Sequence, residues 1–136
     1  MLLDSLSPSA SDTSTYALLA TERTGIPIAE VEVLKQRYGF TDRELLSLLR
    51  MNVRTLQRRR KGGQALDAHE SAAFVAVARA LAYGHEVFGD IGKLVRWLRH
   101  PNGTLQSERP LDLLATSTGL RIVCDTLTRI DYGVYS

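Results

Sequence analysis

Three features of the sequence predict an all-α protein. Apolar residues recur at helical spacing along most of the chain, for example across residues 91–98. Helix-capping signals separate these stretches, among them Asn52 and the capping box formed by Thr41 and Glu44. We find no convincing strand alternation, no internal repeat and no long linker. Together these signals predict about seven helices, with a helix-turn-helix followed by a small helical domain.

Length and composition are those of an ordinary globular chain. The 136 residues favour one domain or two very small ones, and a hydrophobic content of 44% is enough for a core. Cys124 is the only cysteine, which excludes an intramolecular disulfide and a multi-cysteine zinc site and fits a reducing cytoplasm. No apolar run approaches the ~20 residues of a membrane span, and the N-terminus lacks the basic region of a signal peptide.

The N-terminal part is predicted as an arm over residues 1–24. Residues 1–15 are rich in serine and threonine, which is typical of a mobile segment. Residues 16–21 fit either a short strand or a helical turn. A GIP sequence at 25–27 then breaks the chain, and its proline suits the first position of a helix that Gly39 ends.

Residues 41–61 are predicted to form two short helices joined by a tight corner. Asn52 caps the second helix, in which Val53 and Leu56 are predicted to point inward. Many such corners use glycine to adopt a positive φ, but Arg50 occupies the corresponding place in this sequence. Because a non-glycine residue there is strained by about 1 kcal/mol, we expect a looser or differently built turn.

The second of these helices carries the strongest functional signal. Its five cationic side chains, with no acidic residue among them, are Arg54, Arg58, Arg59, Arg60 and Lys61. A compact corner that ends in this much unpaired positive charge is typical of a helix-turn-helix whose second helix lies in a DNA groove. We therefore predict that residues 25–65 form a DNA-binding domain. A solvated basic face and a binding site for an acidic protein are the alternatives.

The predicted DNA contacts divide along this helix. Early turns face bases in helix-turn-helix docking, where arginine pairs with guanine and glutamine with adenine. The early positions are Arg54, Thr55, Gln57 and Arg58. Later cations are predicted to neutralise phosphates, which releases counterions and makes the affinity salt-dependent. The later positions are Arg59, Arg60 and Lys61.

A long Ala-rich helix is predicted from Asp67 to about Phe88. One of its faces carries small and apolar residues, which are Ala73, Val77, Ala80, Leu81 and Gly84. Small residues allow helices to approach closely, either in the core of one chain or between two copies. Since pseudo-palindromic operators bind two-fold symmetric proteins, we expect a homodimer that forms through this face.

The C-terminal part is predicted as further helices. One follows Gly89, a short one begins at Pro110, and the last lies between caps offered by residues 116–118 (TST) and a stop at Gly133. Trp97 either anchors an interface or packs in the core. Beyond Gly133 the chain ends in an aromatic-bearing tail, which either inserts into a partner's cleft or merely frays.

The sequence shows no assembled catalytic group. The three histidines, His69, His85 and His100, do not form an H-E-x-x-H zinc motif. Cys124 lies near the apolar stripe of the last helix, where a buried core thiol is expected. Gly62 and Gly63 lack the spacing of a phosphate-binding loop. We therefore expect no enzymatic activity, no metal, no cofactor and no small-molecule substrate.

A series of motifs follows in order from residue 25 to the end of the chain. They are GIP at 25–27, RYGFTDRELLSLL at 37–49, RTLQRRRKGG at 54–63, LDAHES at 66–71, EVFGD at 86–90, WLRHPNGTL at 97–105, PLDLLATSTG at 110–119 and VCDTLTRIDYGVYS at 123–136. With these motifs the chain resembles the Xre/MbcA/ParS-type antitoxins, the partners of RES-domain toxins. PLDLLAT and the closing RI-x-x-GVYS pattern are specific, whereas the basic helix alone is not. The departures are Arg50, where relatives often have glycine, and the N-terminal arm.

The resemblance implies a two-part antitoxin of a type II toxin–antitoxin system. Its helix-turn-helix represses its own operon, and residues 66–136 form a dimerisation and toxin-binding domain. RES toxins act on cellular NAD, and the C-terminal end of the antitoxin blocks their active-site cleft. In this sequence that role falls on Arg129, Ile130, Asp131, Tyr132, Gly133, Val134, Tyr135 and Ser136. The expected assembly is a hetero-oligomer in which antitoxin homodimers bridge toxin subunits.

Two other classes of protein fit parts of the sequence. A stand-alone helix-turn-helix transcriptional regulator would keep the basic helix but would have no need of the tail. A protein-interaction module would use the basic helix on an acidic surface and would show no steep salt dependence toward duplex DNA.

Overall fold

The computed structural model describes residues 19–133. Within this range the predicted all-α class is confirmed, since the only β features are two isolated bridges, Pro27–Ala65 and Asn102–Glu108. The part of the N-terminal arm before residue 19 and the last three residues lie outside the described range. Residues 19–24, which the sequence left open between strand and helix at their start, are helical.

Seven further α-helices and one 3₁₀ turn follow along the described chain. They are α1 (Ile28–Tyr38), α2 (Asp42–Leu49), α3 (Val53–Gly62), α4 (Ala68–Phe88), α5 (Ile91–Arg99), the 3₁₀ turn Gly103–Leu105, α6 (Pro110–Leu113) and α7 (Ser117–Asp131). Most predicted boundaries are confirmed to within one residue. Pro27 is a small exception, because it lies at the N-cap of α1 rather than at its first helical position.

The chain divides into two compact units, residues 1–79 and 80–136. In the first unit, α1, α2, α3 and the first half of α4 contribute to the core. Its fully buried side chains include Ile26, Leu34, Leu45, Leu56 and Phe74. The buried Ser71 hydroxyl accepts a hydrogen bond of 2.9 Å from the Ile26 backbone N–H, which satisfies a polar group inside an apolar environment. The sequence predicts a boundary between residues 65 and 66, which separates a DNA-binding part from a dimerisation and toxin-binding part. That boundary stays a prediction.

The corner between α2 and α3 is tight. Thr41 and Glu44 form the predicted capping box of α2, and the Asn52 side chain caps α3 by accepting from the Thr55 N–H at 2.8 Å. Between the two helices Arg50 adopts a left-handed conformation with φ 53°. The next N–H donates to the Leu46 carbonyl at 3.0 Å and closes the end of α2. The expected looser turn is therefore wrong, because arginine adopts the glycine-like conformation itself.

One predicted core position is also wrong. Leu56 is buried with 1% exposure, as expected for the inward side of α3. Val53, which was expected to point inward beside it, is 55% exposed. The reason is geometric: three residues along a helix turn the side chain by about 300°, so the first residue of α3 is displaced around the axis from Leu56. The two side chains therefore point about 60° apart, and the core covers Leu56 but leaves Val53 exposed.

The second unit is held by close approaches between its helices. Gly84 packs so tightly that an added Cβ would lie 2.6 Å from the Leu94 side chain. At Gly119, near the start of α7, an added Cβ would lie 2.0 Å from the Leu113 carbonyl oxygen. Trp97 is half-buried and its ring packs on Phe88 at a centroid distance of 5.5 Å. Trp97 therefore packs within the chain, the second of its two sequence-based alternatives.

The small-residue face of α4 belongs to the core of the single chain. Val77, Ala80, Leu81 and Gly84 are buried, and Ala73 is half-buried. Leu94 and Leu127 fill the space beside Gly84. The sequence allowed an intrachain core or a dimer seam, and the expected seam on this face is wrong because its side chains are already covered.

Candidate functional sites

The cations of α3 divide between two faces of the helix, and Arg60 lies on the inner one. Its two terminal nitrogens donate to both carboxylate oxygens of Asp42 at 3.0 and 2.9 Å. Its Nε donates to Glu32 of α1 in a short hydrogen bond. Lys35 adds a second cation to Asp42, with a distance of 2.8 Å between Nζ and Oδ1. Arg60 thus ties α3 to both preceding helices: to α2 through a bidentate pair, which fixes orientation as well as distance, and to α1 through a single hydrogen bond.

Arg59 makes the corresponding link to α4. Its Nη2 lies 2.7 Å from Oε1 of Glu70, and its Nη1 donates to the Ala65 carbonyl at 2.9 Å. Both side chains of the pair are largely buried, with exposures of 14% and 13%. Glu70 also accepts from the Asp67 backbone N–H at 2.8 Å, so one carboxylate caps α4 and holds α3. The expectation that the cations of α3 are unpaired is wrong for Arg59 and Arg60.

The remaining polar side chains of α3 form an outward face. At 3.6 residues per turn, positions 54, 57, 58 and 61 fall within about 100° of arc. All four side chains of this outward face are exposed, and they are Arg54, Gln57, Arg58 and Lys61. Among the described residues none of the three cations has an ion pair or hydrogen bond partner. Three cations without a partner in the range 19–133, and one amide, therefore project together from a helix whose opposite side is anchored.

Thr55 lies outside this arc. It is half-buried, and its position is rotated by about 100° from Arg54 on the side away from Gln57. Its backbone N–H is occupied by the Asn52 cap. Two further exposed features that the sequence did not assign to the site lie near the start of α3: Val53, about 40° beyond the Gln57 edge of this arc, and Arg50 at the corner.

The Arg60–Asp42 ion pair, which anchors α3 to α2, persists at ordinary pH. Hydrogen bonds from Arg60 and then Lys35 hold the pKa of Asp42 far below its usual value. The same pair, together with Glu32, raises the pKa of Arg60 further above its already high value. Both groups of the pair therefore stay ionised between pH 5 and 8.

The other candidate site is the end of α7. Arg129 and Asp131 are exposed, and Ile130 is half-buried. Tyr132 is 77% exposed, which is exceptional for an aromatic side chain of this size. Gly133 has φ +70°, the left-handed conformation that ends a helix. The structure thus gathers the first five of the eight predicted residues at one helix end.

The remaining tail residues, Val134, Tyr135 and Ser136, lie outside the described range. A second apolar feature of this unit was not found from the sequence. Ile122, 41% exposed, borders a cavity of about 360 Å³ whose other lining residues are Thr104, Leu105, Gln106, Glu108 and Leu113. No sequence pattern marks it, because its walls come from three separate places in the chain, at residues 104–108, 113 and 122.

Metal ligands, membrane-spanning helices and the cysteine thiol are the remaining features that the described part of the chain allows to be assessed. Across residues 19–133, no three histidine, cysteine, aspartate or glutamate side chains are grouped for a metal ion. In the same range no helix is long and apolar enough to cross a membrane. Cys124 is half-buried. Its burial, and to a smaller extent the charge of the neighbouring Asp125, raise the pKa of its thiol, so the reactive thiolate is disfavoured.

The fold and its basic helix define a helix-turn-helix protein that carries a second, small helical unit. Residues 17–79 match the antitoxin Xre-like helix-turn-helix domain, and residues 84–133 match the antitoxin Xre/MbcA/ParS C-terminal toxin-binding domain. The chain therefore belongs to the Xre/MbcA/ParS-type antitoxin family, which confirms the resemblance drawn from the motifs.

Three curated relatives are similar to this chain. An antitoxin Xre of Yersinia enterocolitica is 33% identical over 94 residues, which are 68% of this chain and 64% of the relative. An antitoxin Xre of Photorhabdus laumondii is 26% identical over 130 residues, 95% of this chain and 86% of the relative. An antitoxin Xre of Pseudomonas putida is 33% identical over 81 residues, 60% of this chain and 51% of the relative. The match thus spans less than two thirds of the Yersinia protein.

Proposed function

We propose that this protein is the antitoxin of a type II toxin–antitoxin system, with two binding activities in one chain. The helix-turn-helix binds the operator of its own operon, and the C-terminal unit binds and inhibits a RES-domain toxin that degrades NAD. The observation that carries the DNA-binding part is the division of α3 into an anchored inner face and an outward face of three cations and one amide.

This division supports DNA binding over a merely solvated basic face. Arg59 and Arg60 form ion pairs with acidic residues of the same unit, and these pairs fix the position of the helix before any ligand binds. A pre-oriented helix loses little entropy on docking, so more of its contact energy appears as affinity. Arg54 and Arg58 then pair with guanine or phosphate, Gln57 with adenine, and Lys61 neutralises a phosphate near the helix end.

A homodimer is part of this proposal. Helix-turn-helix proteins bind operator half-sites about 34 Å apart, and a two-fold protein matches that repeat. Because the small-residue face of α4 is covered within one chain, the dimer contact lies elsewhere.

For the toxin, we propose that the C-terminal tail enters the active-site cleft. A cleft that binds an anionic dinucleotide is electropositive and accepts flat rings. A tail that offers tyrosine rings suits such a cleft. Tyr132 already projects from the end of α7, and Gly133 turns the chain out of the helix at that point. The toxin-contact residues proposed are 129–136.

Operator binding is tested by the salt dependence of the affinity for a duplex from the region upstream of the operon. We expect Arg54→Ala and Arg58→Ala each to weaken binding and to lower the slope of log K against log salt by about 1. Arg79→Ala is the matched control, since this exposed arginine lies on α4 of the same unit, nine residues beyond Glu70, which contacts α3. Equal losses in all three variants, or no salt dependence in the native protein, would contradict the assignment.

Toxin inhibition is tested by co-expression with the product of the adjacent gene. The full-length chain is compared with a form that ends at Asp131, and the readouts are co-purification, cellular NAD and cell survival. We expect the truncated form to stay folded but to leave the toxin active. Neutralisation of the toxin by the truncated form would contradict the tail mechanism. If the product of the adjacent gene is not toxic to cells, a stand-alone transcriptional regulator is favoured instead.

A further inference from the structure

Val53 is an aliphatic side chain exposed at an unusual place. It is the first residue of α3 and is 55% exposed, although the rest of its helix is charged, polar or buried. The positions of a hydrophobic staple around the Asn52 cap are Met51 and Leu56, and both are buried. Neither the core nor the cap of α3 therefore requires Val53.

The neighbours of Val53 indicate what contacts it. Gln57 lies one turn further on, rotated by only about 40° around the axis, and Arg54 is the next residue. Both belong to the outward face, whose charges suit a polyanion rather than an apolar protein surface. An aliphatic group beside cations and an amide at the N-terminal end of a groove-reading helix has one apolar target in duplex DNA, the 5-methyl group of thymine in the major groove.

We propose that Val53 reads a thymine in each operator half-site by packing against its 5-methyl group. The contact discriminates thymine from cytosine, which lacks the methyl group. It complements Arg54 and Gln57, which are suited to hydrogen-bonding the edges of adjacent purines. The inference rests on the operator binding proposed above and adds the base that this position selects.

The experiment replaces each thymine of the operator duplex by uracil, one at a time, and measures binding to the native protein and to Val53→Ala. Uracil keeps every hydrogen-bonding group of thymine and removes only the methyl group. We expect one thymine per half-site at which uracil weakens native binding about fourfold, the value of one buried methyl group. Val53→Ala, which lacks both γ-methyl groups, binds the thymine duplex more weakly and loses most of the discrimination between the two bases at that position.

Ile122→Ala is the matched control, because it truncates another exposed aliphatic side chain outside the helix-turn-helix. It should bind both duplexes like the native protein. Val53→Thr, which keeps one methyl group, should retain part of the discrimination. If native binding is salt-dependent but indifferent to uracil everywhere, or if Val53→Ala keeps the full uracil effect, the inference is overturned alone. If the native protein does not bind the duplex at all, the proposed operator binding fails with it.

Discussion

Arg50 pairs a strained backbone conformation with an exposed side chain at the corner of the helix-turn-helix. Its φ of 53° lies in the left-handed region, which glycine adopts without steric cost. The conformation persists because the buried helices on both sides fix the direction of the chain, through Leu49 before the corner and Leu56 after it. Strain of this kind is commonly kept where a side chain serves a function.

Arg50→Gly is therefore expected to stabilise the first unit. Relief of the left-handed strain outweighs the extra freedom of glycine in the unfolded chain, and we expect a gain of up to about 1 kcal/mol. Urea denaturation measures the change. Arg50→Ala is the control, since it removes the guanidinium but keeps the strain. A glycine variant no more stable than the alanine variant would show that the corner stores no strain.

The ionised carboxylate of Asp42 makes the stability of the first unit depend on pH in the acidic range. Its pKa is held far below the usual value of an aspartate by Arg60 and Lys35, so its ionised form stabilises the folded state. That stability is complete above the unfolded pKa and is lost as the pH falls through the lower folded pKa. Asp42→Asn should thus be less stable than the native protein at pH 7, and the two unfolding midpoints should converge below about pH 4.

The control for this pH series is Asp125→Asn, an exposed carboxylate on α7 that is not part of the α3 network. Its difference from the native protein should not follow the same course. A constant gap between Asp42→Asn and the native protein down to pH 2 would mean that the Arg60 pair does not stabilise α3.

At the scale of elements, local chemistry was predictable and distant pairing was not. The caps at Thr41 and Asn52 are read from neighbouring residues, and both form as predicted. For the last helix the sequence offered residues 116–118, and Thr116 is the cap. The partners of Arg60 lie 28 and 18 residues away, at Glu32 and Asp42, so a charge count along α3 could not reveal them. Val53 was misplaced for a similar reason, because only the packed unit decides which side of a short helix is covered.

Gly119 is the element contact most sensitive to substitution. An added Cβ would lie 2.0 Å from the Leu113 carbonyl oxygen, which is backbone and cannot rotate away. Gly119→Ala must therefore separate α6 from α7, and we expect a loss of about 3 kcal/mol, at the upper end for overpacking. Thermal or urea unfolding measures the loss.

Gly103→Ala is the matched control for this substitution, since no atom lies within 4 Å of its added Cβ and its φ is not positive. It should change the stability by less than about 0.5 kcal/mol, as surface substitutions usually do. Equal stability of the two variants would mean that α6 and α7 are not in close contact at Gly119.

For the whole molecule, the two proposed activities use residues of different units. The outward face of α3 belongs to the unit 1–79, and Tyr132 belongs to the unit 80–136. Binding energy at one surface need not depend on contacts at the other unless a two-state element couples them. The structure offers a direct way to separate the activities in cells that carry the operon.

We expect the double variant Arg54→Ala, Arg58→Ala to lose repression and still neutralise the toxin, because only charges of the outward face are removed. The form that ends at Asp131 should show the opposite pattern, with repression retained and neutralisation lost. A reporter fused to the operon promoter and cellular NAD measure the two activities in the same culture. If either variant loses both activities although its purified form has the same unfolding temperature as the native protein, the two surfaces are coupled. Toxin binding and operator binding would then be a single linked equilibrium rather than two independent ones.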